Sequence, residues 1–451
     1  MLRPAVLDMR RTTLRREILG GVVTFLTMSY IVFVNPAILS GAGLDFNAVA
    51  LATALAAAIF TAVMGLATNL PFALAPGLGI NAVVAFDIIL GRHVSPEVGM
   101  ACIVLEGTLA VILVLGGLRE AVVRAVPSAM KLAIGVGIGL FITLVGLRDG
   151  GIVVNNPATG IGLGDLTSGP ALIALAGIFV ALALSAAKVR GAILLGIATS
   201  TVLGLAFGVL AAPDAVARWP HAHDFSTIGD ALSAHAIGAA LTWTLIPVIF
   251  SLFMTDFFDT VGTAYAVTSA GGMLDENGEV PKIRRLLLVD SLAAAGGGAM
   301  GVSSVTTYVE SGAGVAEGAR TGLASLVTAA LFALTILFVP LIAVVGQGVA
   351  VGKDTVIHPA VAPALVMVGY LMIGLVRGID WDEPESAVPA FLVIAGIPLT
   401  FSISAGIGFG VFGYVITMVA RRRAAEVHPI MWALVPLFAA FFASGWLSSH
   451  V

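Results

Sequence analysis

The segment SLFMTDFFDTVGTAYAVTSAGG, residues 251–272, places two aspartates, Asp256 and Asp259, in an otherwise uncharged run that extends from residue 236 to residue 274. Because they are three residues apart, both carboxyl groups can face the same side of one helix. Two more acids follow in apolar surroundings, Asp290 and Glu310. Buried carboxyl groups can exchange protons near physiological pH and accept hydrogen bonds from the N–H groups of a bound molecule. We therefore consider these four acids as candidates for ligand binding or proton transfer.

The surroundings of these acids follow from the composition, which is 59% hydrophobic and only 11% charged. Such values lie outside the range of soluble domains. Uncharged runs such as 46–86 and 321–352 exceed the approximately 20 residues that a helix needs to cross a bilayer. The sequence therefore predicts an all-α polytopic membrane protein. An aspartate at the centre of a membrane helix costs about 2.5–3.5 kcal/mol on an insertion scale, so two of them need a functional or structural reason.

The composition also excludes several function classes. A net charge of −4 with scattered basic residues provides no surface for nucleic acid. The single cysteine, Cys102, excludes a disulfide framework, and the seven histidines lie in loops or at segment ends. We expect neither a metal site nor a cofactor.

Apolar segments divide the chain into two sets of seven. The first set lies at 18–40, 47–67, 72–90, 98–117, 129–147, 169–187 and 191–211. The second set lies at 237–267, 286–301, 306–319, 321–346, 357–376, 387–401 and 403–420. Because seven is odd, the second set must run with the opposite orientation, which predicts inverted repeats over residues 1–225 and 226–451. The remaining stretch, 429–446, could be an interfacial helix or a fifteenth span.

Basic residues predict the orientation of these segments. The first span is too long for the core of a signal peptide, and Arg10, Arg11, Arg15 and Arg16 precede it. With the N-terminus in the cytoplasm, further basic residues fall on the same side, as the positive-inside rule requires. They are Arg119, Arg124, Lys131, Lys188, Arg190, Lys282, Arg284 and Arg285. We expect a multi-pass protein of the cell inner (plasma) membrane.

The third and tenth segments, which correspond in the two sets, are both irregular. The third, NLPFALAPGLGINAVVAF at 69–86, contains prolines and glycines that do not fit one continuous helix. The tenth, MGVSSVTTYVESGAGVAEGARTG at 300–322, begins with a strand-like stretch. Each is expected to form a short strand followed by a short helix. Irregular backbone at membrane depth occurs where it is buried in protein or lines a cavity, so this matched pair predicts a binding site.

A purely structural role for the acids remains an alternative. Hydrogen bonds to half-helix amides, or a basic residue such as Lys131, would neutralise them without any transport role. The functional interpretation is favoured for Asp259 and Glu310. For Asp256, Asp290 and Glu106 both interpretations remain open, because a carboxyl group that only ties two helices together has the same appearance in the sequence.

Four motifs in this order resemble one family over the whole chain: PFALAPGLGINA, DFFDTVGT, LDENGEVPKIRR and TTYVESGAGVAEGARTG. The chain resembles the nucleobase/cation symporters of the nucleobase-ascorbate transporter type, and among them the adenine, guanine and hypoxanthine permeases. The resemblance implies 14 segments in two inverted sevens. It also implies a core domain at 14–127 and 237–350, a gate domain at 128–225 and 351–451, and a homodimer.

The resemblance also assigns roles to residues of this sequence. Asp259 stands where the family's eighth segment has its substrate-binding acid, and Glu310 stands where the tenth has its second ligand. Tyr308 and Val309 would offer a ring and a backbone N–H group. Gly79 and Asn81 lie at the break of the third segment. Phe72 is a candidate for stacking on a planar base, and packing in the protein or against lipid is an equal alternative.

These residue types suit a purine, which is a flat ring with N–H donors and ring-nitrogen acceptors. Glu310, in place of the glutamine of xanthine and urate transporters, favours adenine, guanine or hypoxanthine over xanthine, uric acid or uracil. The expected mechanism is proton symport, in which Asp259 or Glu310 takes up a proton as the purine binds; Asp256 and Asp290 are further proton-coupling candidates. A xanthine or uracil permease of the same family is the alternative.

Two other function classes are disfavoured. The sequence GLGD at 162–165 resembles a signature motif of intramembrane aspartyl proteases. Those proteases need this aspartate inside a span and a second one in a Tyr-Asp pair, but Asp165 lies in a polar loop and no tyrosine is directly followed by an aspartate. The chain is therefore not expected to be an enzyme. A sulfate-type anion transporter of the same architecture is disfavoured because acids at the site would repel its substrate.

Overall fold

The computed structural model describes residues 12–117, 126–189, 191–276, 279–351 and 355–448. Within these ranges the chain is mostly helical, and eight spans are long and apolar enough to cross a membrane. These observations confirm the prediction of a polytopic helical membrane protein. Several basic residues on which the predicted orientation rests lie outside the described residues, namely Arg10, Arg11, Arg119, Arg124 and Arg190.

The first half contains eight α-helices, three strands and a π-helical segment within the described residues. They are α1 (Leu14–Met28), α2 (Ile31–Ser40), α3 (Phe46–Thr68), β1 (Leu74–Pro76), α4 (Leu78–Ala82) with a π-helical continuation (Val83–Leu90), α5 (Pro96–Leu115), α6 (Ser128–Asp149), β2 (Val153–Asn156), β3 (Gly160–Leu163), α7 (Gly169–Ala186) and α8 (Ala192–Ala206). The first apolar segment is therefore two helices, which are separated at Ser29 and Tyr30. Strands β2 and β3 form an exposed hairpin. The motif GLGD begins in β3, and its aspartate, Asp165, lies in the loop after that strand.

The second half follows after two short 3₁₀ turns, Ala222–Phe225 and Asp230–Leu232. Its elements are α9 (Ala234–Ala240), α10 (Ile246–Ala270), α11 (Ile283–Ala299), β4 (Val305–Thr307), α12 (Ser311–Ala316), α13 (Gly322–Thr335), α14 (Val339–Val345), β5 (Val349–Val351), β6 (Thr355–Ile357), α15 (Ala362–Met372), α16 (Pro384–Thr400), α17 (Ile403–Ala420) and α18 (Pro429–Ser448).

The helices pack in two sets of neighbours. In one set, α3 packs against α13, α5 against α11, and α1 against both α12 and α13. In the other, α6 packs against α15 and α16, α7 against α8, and α16 against α17. Small residues make these contacts close: a Cβ atom added at Gly107 of α5 would lie 2.3 Å from the backbone nitrogen of Ala295 in α11. Such positions admit glycine alone without a shift of one helix.

Strands β1 and β4 lie in the third and tenth segments and pair with each other. They are antiparallel, with Leu74 opposite Thr307 and Pro76 opposite Val305. Because proline has no N–H group, Pro76 leaves that ladder position without a donor, and the N–H group of Gly77 instead donates to the carbonyl of Ser304 at 2.8 Å. Every residue of both strands is buried. The two irregular segments thus meet in the protein interior, where backbone polar groups at membrane depth need partners.

Candidate substrate-binding site

The end of the β1–β4 ladder positions Glu310. The N–H group of Tyr308 donates to the carbonyl of Ala73 at 3.0 Å, and α12 begins three residues later at Ser311. The N–H group of Ala73 in turn donates to the hydroxyl of Ser311 at 3.0 Å. These bonds fix the turn from strand to helix, which places Glu310 directly before the first turn of α12.

A tyrosine from the first span holds the Glu310 carboxyl group. The hydroxyl of Tyr30 donates to Oε1 of Glu310 at 2.5 Å. Tyr30 is almost fully buried at the junction between α1 and α2. The sequence analysis did not identify Tyr30 as a site residue, because the two residues are 280 positions apart. A tyrosine within an apolar run, which needs a partner for its hydroxyl when buried, was the available signal.

Asp259 lies on α10 beside this turn and interacts electrostatically with Glu310. Its side chain is exposed although it lies in the middle of an apolar helix. A Cβ atom added at Gly262, one turn further along, would meet no atom within 4 Å. The surface of α10 at Asp259 and Gly262 is therefore open.

Val309, which directly precedes Glu310, is also exposed. Its side chain is 58% exposed, in contrast to the fully buried residues of β4 before it. Within the described residues its N–H group donates to no protein acceptor. The arrangement thus combines two carboxyl acceptors, from Asp259 and Glu310, with one backbone donor from Val309.

The other predicted site residues lie in more enclosed positions. The hydroxyl of Tyr308 donates to the carbonyl of Pro76 at 2.5 Å, and its ring is 7% exposed. Asn81 is fully buried and donates to Oδ1 of Asn35 at 2.6 Å. Gly79 lies against α6, because a Cβ atom there would be 2.8 Å from Cγ2 of Ile138. These residues support the two broken segments rather than lie on the open surface.

Phe72 differs from the expectation of an accessible stacking partner. Its ring is fully buried, and its backbone carbonyl accepts a hydrogen bond from the hydroxyl of Ser325 at 2.7 Å. Because β1 draws this part of the chain into the interior, the ring packs within the protein, which was the alternative interpretation.

Asp256 and Asp259 lie in different environments, although their spacing allows both to face the same side of the helix. Asp256 is 2% exposed, whereas Asp259 is exposed. The turn of about 60° between positions three apart is enough to separate a buried face from an open one. Asp290 is also 2% exposed and accepts hydrogen bonds from the hydroxyl of Thr260 at 2.6 Å and from the N–H group of Thr307 at 2.9 Å.

In the described part of the chain, no group of three histidine, cysteine, aspartate or glutamate residues is arranged to hold a metal ion. The geometry instead provides hydrogen-bond acceptors and a donor for a small polar molecule.

Comparison with known families decides the class of protein. The model of the Permease family, Xan_ur_permease, matches residues 15–409. This chain belongs to that family. It is a multi-pass membrane permease, and its relatives are transporters rather than enzymes.

Relatives with assigned names cover almost the whole chain. The Bacillus subtilis guanine/hypoxanthine permease PbuG is 40% identical over 450 residues, which are 96% of this chain and 97% of that protein. The Escherichia coli adenine permease AdeQ is 36% identical and covers 95% of this chain and 93% of that protein. A putative permease of Methanocaldococcus jannaschii is 40% identical over 431 residues, covering 96% of this chain and 95% of that protein. The predicted resemblance to the adenine, guanine and hypoxanthine permeases is thereby confirmed.

Solved structures show the fold. The transmembrane domain of the cyanobacterial bicarbonate transporter BicA superposes with a TM-score of 0.62 at 16% identity, covering 89% of this chain and 98% of that domain. Murine Slc26a9, an anion transporter in the inward-facing state, gives a TM-score of 0.60 at 11% identity and covers 90% of this chain and 69% of that one. At these identities the likeness concerns the fold and not the substrate.

Proposed function

We propose that this permease imports purine nucleobases, namely adenine, guanine or hypoxanthine, by proton symport. The observation that carries the proposal is the pair of acids at one open surface, Asp259 on α10 and Glu310 before α12. Relatives named guanine/hypoxanthine and adenine permeases, 33–40% identical to this chain, support the substrate class.

The geometry suits a purine. Ring and exocyclic N–H groups of the base would donate to Asp259 and Glu310, and a ring nitrogen or exocyclic oxygen would accept from the N–H group of Val309. An analogue that lacks one of these groups would leave a buried polar atom without a partner, at a cost of about 1–3 kcal/mol. The site would thus discriminate strongly among nucleobases.

Protons would enter through the same acids. One of two neighbouring carboxyl groups takes up a proton more readily because like charges repel, and the interaction between Asp259 and Glu310 is of this kind. The bound proton would then accompany the purine. Cytoplasmic release would follow movement of a core domain, 14–127 and 237–350, against a gate domain, 128–225 and 351–451. The two sets of packed helices described above support this division.

An anion substrate is the alternative that the fold shared with BicA and Slc26a9 suggests. Two carboxyl groups at the open surface oppose this because they would repel an anion. A homodimer in the plasma membrane, with the N-terminus in the cytoplasm, remains part of the proposal.

Uptake of labelled hypoxanthine, adenine and guanine into cells without their own purine permeases tests the proposal. We expect saturable uptake that increases at acidic external pH and resists excess unlabelled xanthine, uracil and sulfate. Competition by xanthine or uracil would assign another substrate, and absence of purine uptake would overturn the proposal.

A further inference from the structure

A second group of acids lies behind the β1–β4 ladder. Glu106 of α5, Asp256 of α10 and Asp290 of α11 are 0%, 2% and 2% exposed. Each of these carboxyl groups interacts electrostatically with at least one of the other two. We call these three residues the buried acid cluster.

The cluster contains oxygen atoms without partners. Within the described part of the chain, neither carboxyl oxygen of Glu106 has a hydrogen-bond partner, and Oδ1 of Asp256 also has none. Within the described ranges, no lysine, arginine or histidine forms an ion pair with any of the three acids. A buried carboxylate without a counter-charge is costly, so the three acids share protons. Asp290, whose oxygens accept hydrogen bonds, can stay charged and take up a further proton.

The helices around the cluster leave little room for water. Cβ atoms added at Gly107 and Gly298 would lie 2.3 Å and 2.8 Å from backbone nitrogens of the opposite helix, so α5 and α11 are in direct backbone contact beside Glu106. The contact leaves no space for water between α5 and α11 at these two glycines. Protons can neutralise such carboxyl groups without any further ligand.

Hydrogen bonds connect the cluster to the substrate site. Asp290 accepts from the N–H group of Thr307, the last residue of β4, and from the hydroxyl of Thr306 at 3.3 Å. The hydroxyl of Thr306 is 2.9 Å from that of Thr260. Thr307 is two residues before Val309, so a change in the charge of Asp290 acts directly on the strand that positions the proposed ligands.

Other charged groups near the cluster are acids or are already paired. Asp259 on α10 interacts electrostatically with both Asp256 and Asp290. Arg92, which follows the π-helical part of the third segment, pairs with Asp87 at 3.5 Å. The charge of the cluster therefore depends on its own protons and on the state of Asp259.

We propose that Glu106, Asp256 and Asp290 form a proton-binding site separate from the substrate ligands, and that this site takes up a proton when a nucleobase binds. The inference rests on the proposed function and extends it, because it places part of the proton coupling on residues that do not contact the substrate. Glu106, which has no hydrogen-bond partner among the residues that the structure describes, is its central member.

Proton uptake during nucleobase binding tests this inference. Purified full-length protein in weakly buffered detergent solution is mixed with hypoxanthine, and a pH indicator reports the number of protons taken up per base bound. Glu106→Gln keeps the shape of the protonated acid and should still bind hypoxanthine, but with the proton uptake reduced by about half or more. Glu97→Gln, the same change on the same helix outside the cluster, should leave proton uptake at the wild-type value.

The outcomes separate this inference from the proposed function. Wild-type protein that binds none of hypoxanthine, guanine and adenine, or binds them without any proton uptake, would overturn the proposed function and this inference together. Wild-type proton uptake that is unchanged in Glu106→Gln would overturn the inference alone. If Glu106→Gln does not fold, Asp256→Asn removes a second acid of the cluster and gives the same readout.

Discussion

The hydroxyl of Tyr30 donates a hydrogen bond of 2.5 Å to Glu310, which joins the junction of α1 and α2 to the residue directly before α12. The bond fixes the orientation of a carboxyl group that we propose as a substrate ligand. Because the two residues come from opposite halves of the chain, the bond also ties the first span to the broken tenth segment.

Replacement of Tyr30 by phenylalanine should therefore weaken substrate binding. The loss of a hydrogen bond to an acid costs about 1.5–3 kcal/mol, which corresponds to a rise of about tenfold or more in the KM for purine uptake. Uptake kinetics at equal protein levels measure the effect. Tyr370→Phe, at an exposed tyrosine, is the matched control and should keep the wild-type KM. An unchanged KM in Tyr30→Phe would contradict a role for this bond.

Glu17 should stabilise the fold rather than the site. Its buried carboxyl group accepts hydrogen bonds from the backbone N–H groups of Arg320, Thr321 and Ala324 at the start of α13. In Glu17→Gln an amide N–H₂ group, which is itself a donor, would face these N–H groups. The free energy of unfolding should therefore fall by about 1–3 kcal/mol. Thermal unfolding of the purified protein should show a lower Tm, whereas exposed Glu276→Gln should not change it. Equal Tm values for the two variants would contradict the stabilisation of the start of α13 by Glu17.

The contact between α5 and α11 should tolerate no side chain at Gly107. Since a Cβ atom there would approach Ala295 to 2.3 Å, Gly107→Val should separate the helices and lower the amount of folded protein. Gly374→Ala, where a Cβ atom would meet nothing within 4 Å, should accumulate normally. Fluorescence-detected size-exclusion chromatography compares the two. A monodisperse Gly107→Val protein at the wild-type level would show that the contact is not as close as described.

The ion pair between Arg423 and Glu426, after the end of α17, predicts a dependence of stability on pH. Hydrogen bonds from Arg423 lower the pKa of Glu426 below its usual value. Because the pKa of Glu426 is lower in the folded than in the unfolded protein, the ion pair stabilises the fold at pH values above the unfolded-state pKa of about 4.3. This stabilisation is lost as the pH falls through the folded-state pKa. Glu426→Gln should thus reduce the Tm slightly at neutral pH, and the difference from wild type should vanish under strongly acidic conditions. A constant difference would exclude this explanation.

Parts of the fold could be predicted because they depend on local sequence. Long uncharged runs define membrane spans, and the prolines and glycines around Pro76 and Gly77 exclude a continuous helix. Acids such as Asp259 are conspicuous against an apolar background. These signals need no knowledge of contacts between distant parts of the chain.

Other parts depend on long-range contacts and could not be predicted. The bond from Tyr30 to Glu310 spans 280 positions. The separation of Asp256 from Asp259 depends on which face of α10 meets α5 and α11, and spacing alone cannot specify it. The junction at Ser29 and Tyr30 contains no glycine or proline. The local sequence therefore does not indicate that the first span consists of two helices.

The most direct test of proton-coupled purine transport uses purified protein in liposomes with an imposed pH gradient. We predict that labelled hypoxanthine accumulates when the exterior is acidic, that a protonophore abolishes the accumulation, and that Asp259→Asn and Glu310→Gln prevent it. Accumulation that is the same with and without the gradient, or that persists in both variants, would contradict the account.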